Sequence, residues 1–112
     1  MPDLSENIEE KVAKLSMIEQ QMTSFLSQKQ TFQTQLVEIE SALEELEKAP
    51  QAYKIIGTIM VSAQKEDLKK ELLTKKETAE LRIASVEKQE EKLRQKAQEI
   101  QTEVLAHMQK KA

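Results

Sequence analysis

The chain has 112 residues and a net charge of −3; 33% of the residues are charged and 3% aromatic, with one glycine and two prolines. So little loop-forming material points to long helices or coiled coil, not to a globular core of any depth. The acidic balance argues against a general nucleic-acid binder, which needs a basic surface, and zero cysteines exclude disulfide staples and thiolate metal sites and fit a reducing interior.

The first ten residues are acidic rather than basic, and no apolar run is long enough for a membrane span, so neither a signal peptide nor a span is expected. Pro2-Asp3 reads as a helix start, with Asp3 as N-cap and Glu6 three residues on, as in a capping box. From there a heptad pattern runs to Ala49. One line holds Ile8, Leu15, Met22, Lys29, Leu36 and Leu43; the other holds Leu4, Lys11, Ile18, Phe25, Phe32, Ile39 and Leu46. Two lysines are the only faults in this coiled-coil seam. Pro50 closes the segment, because proline disfavours helix at the residue before it.

Tyr53 to Ser62, Y-K-I-I-G-T-I-M-V-S, carries the only glycine and the densest β-branched and aliphatic cluster. It reads as a hairpin with Gly57-Thr58 as a type II′ loop, placing Ile56 opposite Ile59, Ile55 opposite Met60 and Tyr53 opposite Ser62. One face then shows Tyr53, Ile55, Met60 and Ser62, the other Lys54, Ile56, Ile59 and Val61. A two-stranded hairpin with two apolar faces and open edges is marginal in water. The segment is therefore expected to complete a sheet with other chains, with Tyr53, Ile55, Ile56, Gly57, Ile59, Met60 and Val61 as the oligomerisation residues.

A second helix follows, with Glu66 and Asp67 near its start and Lys110-Lys111 at its end, as the helix dipole prefers. Its lines are Leu72, Ala79, Val86, Leu93, Ile100 and His107, and Lys76, Ile83, Glu90, Ala97 and Val104. Antiparallel pairing of the seams sets Leu43 with Leu72, Leu36 with Ala79, Phe32 with Ile83, Met22 with Leu93 and Leu15 with Ile100. Lys29 and Glu90 then fall in adjacent layers, where they either form a register-setting polar layer or snorkel out past the seam. Residues 1–50 carry −6 and residues 51–112 carry +3, so folding back brings opposite signs together.

Little here suggests an enzyme. The sole histidine, His107, lies four residues after Glu103, but two ligands make a poor metal site. One glycine cannot build a phosphate loop, and no nucleophile has a base implied by spacing. No catalytic residue, metal or cofactor is assigned. Near the chain ends, Leu4, Ile8 and Val12 are expected beside Val104, Leu105 and Met108, with Val12, Leu105 and Met108 off the seam and facing water. Such apolar exposure on a charged arm marks a binding site, or only the stray apolar residues of frayed ends. A structural scaffold or spacer coiled coil is the other reading open at this point.

The chain also resembles the beta-type subunits of archaeal prefoldin. The resemblance rests on Gln28-Lys29-Gln30-Thr31, on Ala42-Leu43-Glu44-Glu45-Leu46-Glu47-Lys48, on Tyr53-Lys54 followed by Ile56-Gly57, and on Lys75-Lys76-Glu77-Thr78 through Glu87-Lys88-Gln89-Glu90-Glu91-Lys92-Leu93. It implies one prefoldin-like domain over residues 1–112: helix 3–49, β-hairpin 52–63, helix 65–110. The fold class is mainly α, a long antiparallel two-helix coiled coil whose short hairpin connector joins an intersubunit β-barrel. It further implies a cytoplasmic hexamer of two alpha-type and four beta-type subunits. Such a hexamer holds unfolded polypeptides at the coiled-coil tips without ATP and passes them to a group II chaperonin. Neither nucleic acid nor membrane is an expected partner.

Overall fold

The computed structural model describes residues 4–110, with side chains from 7 to 109. The expected Asp3–Glu6 cap, the Leu4 side chain and Lys110-Lys111 as a charged pair lie outside the described residues. The element order is α1 (Leu4–Lys48), β1 (Ala52–Ile56), β2 (Ile59–Ala63) and α2 (Lys65–Lys110).

Both helices are long because nothing in them stops a helix. Neither contains glycine or proline. The hydroxyls of Thr23, Thr74, Thr78 and Thr102 donate to carbonyls four residues earlier, so these β-branched residues satisfy themselves within the helix. Helix α1 ends where Pro50 approaches: the Ala49 amide still donates to the Glu45 carbonyl at 3.0 Å, and the orphaned Ala49 carbonyl accepts from the Lys65 ammonium at 2.7 Å. Glu66 and Asp67 occupy the first turn of α2, where the dipole favours acids.

The hairpin is antiparallel and pairs Ala52 with Ala63, Tyr53 with Ser62, Lys54 with Val61, Ile55 with Met60 and Ile56 with Ile59. That is the register expected from the sequence. Among the described residues Gly57 alone has a positive φ, 62°, and Thr58 does not. A type II′ loop asks for this combination, whereas type I′ would need positive φ at both central residues. A Cβ at Gly57 would meet nothing within 4 Å, so the glycine is required by torsion and not by space.

Along α1, the shielded positions among described side chains are 8, 11, 15, 18, 22, 25, 29, 32, 36, 39, 43 and 46, the two expected lines and no others. Along α2 the expected lines are shielded throughout, and Lys65, Leu68 and Glu71 join them in the first two turns. Contacts group into two compact units, residues 30–84 and residues 1–29 with 85–112.

In unit 30–84, Glu40 pairs with Lys76 at 3.8 Å, Glu47 with Lys69 at 3.9 Å, and the Arg82 guanidinium sits 5.5 Å from the centre of the Phe32 ring. Here α1 supplies the acids and α2 the bases, as the charge split suggests. In the other unit the polarity is reversed: Lys11 meets Glu103 at 3.1 Å and Lys29 meets Glu90 at 2.8 Å. The expectation from half-chain totals fails there because only the residues at facing positions set the sign of each tie. Glu90 is 7% exposed, the one charged group in the core among the described residues. Of the two readings for this pair, the ion pair forms: the flexible lysine stem spans the gap between adjacent layers, and neither group leaves the seam.

A shielded carboxylate that loses its only cation is costly, whereas an apolar pair of similar volume is not. Lys29→Met should therefore destabilise the chain by about 3 kcal/mol. Adding Glu90→Met should recover most or all of that loss, measured by thermal melting at fixed protein concentration. Equal melting of the single and double variants would show that the pair is not shielded in solution.

Candidate functional site

Two surfaces, one in each unit, display apolar side chains that the fold leaves uncovered. The first is the hairpin. Tyr53, Ile55, Ile56, Ile59, Met60 and Val61 are all exposed, with Ile55 at 68% and Ile59 at 64%, although these residue types normally dominate cores. They lie on both faces of a two-stranded sheet, so each face of the hairpin and each strand edge is open. Cover is limited to the end nearest the helices, where Ala52 is buried and Ala63 half-buried, and to Lys54 in the middle of β1, which is half-buried.

A tether that sequence reasoning missed fixes the hairpin to α2. The Lys54 ammonium donates to both Glu71 carboxylate oxygens at 3.0 Å, and Lys75 approaches the same carboxylate at 3.6 Å. The Lys54 hydrogen bond holds the Glu71 carboxyl below its ordinary value of 4.5; partial burial opposes this and Lys75 reinforces it. The signal available in the sequence was that Lys54 is the only charge between Tyr53 and Ser62, too little to name a partner.

The second surface lies near the chain termini. Val12, Leu105 and Met108 are exposed, as expected for off-seam positions, with Met108 at 61%. Ile8 and Val104 are half-buried in the seam, and the Leu4 side chain lies outside the described residues. The Lys11–Glu103 tie holds α1 and α2 together here. It also occupies the carboxylate that a metal reading would pair with His107, and no group of three or more metal-ligating side chains occurs among the described residues. Off-seam apolar exposure is not confined to the ends: Met17, Leu26, Val37, Leu73 and Leu81 are exposed as well. The heptad lines could have identified these five, since each departs from them.

Comparison with known proteins decides the family. The prefoldin subunit family model matches residues 9–111. The chain belongs to the prefoldin family. It is 40% identical to a prefoldin subunit beta of Archaeoglobus fulgidus over 104 residues, covering 90% of each chain. It is 34% identical to that of Pyrococcus abyssi over 109 residues, covering 95% of this chain and 93% of the other. The crystal structure of the prefoldin beta subunit from Thermococcus strain KS-1 superposes with a TM-score of 0.85 at 32% identity, over 95% of this chain and 96% of that one. Both the hairpin and the terminal surface keep apolar side chains exposed in this chain. No helix is long and apolar enough to cross a membrane among the described residues.

The Lys54–Glu71 tether is testable by pH. A carboxyl with a depressed folded-state pKa adds stability above its unfolded value, and that contribution disappears as pH falls through the folded value. Lys54→Met should move the Glu71 midpoint up towards 4.5, read by carbon-13 NMR of the side-chain carboxyl. An unchanged midpoint would mean that the tether does not form in solution.

Proposed function

We propose that this chain is a beta-type subunit of an ATP-independent holdase chaperone, acting as one prefoldin-like domain over residues 1–112 in a cytoplasmic hexamer with two alpha-type partners. Four such chains contribute hairpins to a β-barrel body. Tyr53, Ile55, Ile56, Gly57, Ile59, Met60 and Val61 form the joints, and the strand edges complete one another's hydrogen bonding. Unfolded polypeptides are captured by Leu4, Ile8, Val12, Val104, Leu105 and Met108 and passed on to a group II chaperonin. Family membership supports the chaperone class. The observation that carries the capture site is the exposure of Val12, Leu105 and Met108 beside a closed ion-paired seam. Unfolded chains display scattered apolar segments, and several weak sites on linked arms bind them far better than one. Methionine suits varied partners because its side chain is unbranched and polarizable.

Assembly and capture are separable. Replacing Ile56 and Ile59 with lysine should leave helical monomers in native mass spectrometry with the alpha-type subunit; a hexamer formed as in wild type would mean that the hairpin is not the joint. Replacing Leu105 and Met108 with serine should instead leave the hexamer mass and melting unchanged. It should also reduce suppression of aggregation of a denatured test protein several-fold, with or without ATP. Full holding by that variant would shift capture to other exposed positions such as Met17, Leu26 or Leu81.

A further inference from the structure

Between Glu19 and Lys29, α1 carries no charge, and Lys29 itself is committed to Glu90. Across the same unit, α2 presents Lys88, Lys92 and Lys96, all exposed and four residues apart, so that they form one row with about 6 Å between steps. None of the three has a carboxylate within ion-pairing distance among the described residues. Of the nearby acids, Glu90 is taken by Lys29 and Glu91 by Arg94 at 2.8 Å. Glu87 lies on the neighbouring row with Glu91, and Glu99 closes the lysine row at its C-terminal end. The three lysines therefore make no close ion pair within this chain, and their ammonium groups are open to carboxylates from outside it, with Glu87 and Glu99 flanking the row.

Beside it runs an open groove of about 310 Å³ lined by Gln21, Ser24 and Phe25 of α1 and Gln89, Lys92 and Leu93 of α2. Its volume is roughly twice the ~150 Å³ of an apolar cavity that holds one benzene. The Phe25 ring and Leu93 supply its apolar lining, and Lys92 belongs both to the groove and to the lysine row. The α1 wall, Gln21, Ser24 and Phe25, is uncharged, and its Ser24 hydroxyl accepts from the Gln28 side chain at 3.5 Å.

We propose that this groove is a docking site for a third helix, supplied by a partner protein: an acidic amphipathic helix that seats leucine or phenylalanine against Phe25 and Leu93 and sets carboxylates against Lys88, Lys92 and Lys96. A helix places side chains at i and i+4 the same 6 Å or so apart as the lysines, so carboxylates on one row can meet them in step. The row steers encounter and sets orientation, while the groove supplies the apolar contact. The site is separate from the terminal capture surface and does not depend on it.

The test uses the full-length chain and a fluorescein-labelled synthetic helix of about 20 residues, glutamate-rich with leucine at i, i+3 and i+7, followed by anisotropy. Binding should saturate. The variant with Lys88, Lys92 and Lys96 all changed to Gln should bind about tenfold more weakly, three modest ion pairs being lost together. Ser24→Glu, which puts a carboxylate in the groove wall, should also weaken binding, and so should replacing the peptide's leucines with alanine. Circular dichroism should show both variants as helical as wild type. The proposal is overturned if the peptide does not bind, or if the triple variant binds as wild type. It is overturned equally if the alanine peptide or heparin binds as tightly as the leucine peptide, since the lysine row would then be a generic polyanion surface.

Discussion

Burial along two narrow lines of side chains per helix is the constraint on which the rest depends. Ile18, Leu46, Ala52, Ala79, Val86 and Ile100 make up the buried apolar set, and no large side chain is fully enclosed among the described residues. Each seam residue thus gains only part of the transfer free energy of full burial. Helices of this length must draw stability from many such partial contacts, because propensity alone leaves isolated helices marginal. The absence of glycine and proline from α1 and α2 follows from the same constraint: a break would interrupt the lines that make the pairing worthwhile.

A seam so thin also has to be told where to align, since leucine against leucine tolerates a slip of one heptad. Lys29 and Glu90 answer that need. Sliding either helix by seven residues would set the carboxylate against an apolar residue, so the pair penalises wrong registers more than it rewards the right one. The exposed ties Glu47–Lys69 and Glu40–Lys76 add little beyond local preference. At the hairpin the apolar residues have no seam at all, and the Lys54–Glu71 ion pair links β1 to α2 while leaving both faces of the sheet free.

Much of this was legible in the chain because period is a direct image of geometry. A spacing of three and four residues defines a helix face, so the shielded positions could be named one by one, and a lone glycine amid β-branched residues set the strand pairing around Gly57. What stayed hidden was whatever depends on how two elements meet. Glu71 is shielded where Lys54 of the hairpin meets it, and neither its shielding nor that of Leu68 is recorded by any periodicity within α2. The Lys65 ammonium on the Ala49 carbonyl, the bond from Lys54 to Glu71 and the reversed polarity of Lys11–Glu103 are all set by facing residues, which a linear reading cannot rank. The two candidate surfaces were readable as apolar residues out of place; what binds them is a property of other molecules.

The antiparallel arrangement has a further consequence in time. Lys29 and Glu90 lie 61 residues apart in sequence, and every residue nearer the start of α1 waits longer still for its facing residue. At a synthesis rate of about 5–20 residues per second, Lys29 is complete roughly 3–12 seconds before Glu90 exists. During that interval Met22 and Phe25 have no opposite wall, and the part of α1 that carries them is only a marginal helix by itself. The hairpin and the adjoining turns of α2 are the first partners to be synthesised, so pairing with α1 can extend outward from Gly57 no faster than the ribosome supplies α2. Translation speed through the second half of the chain thus sets how long the seam of α1 is open to the wrong helix.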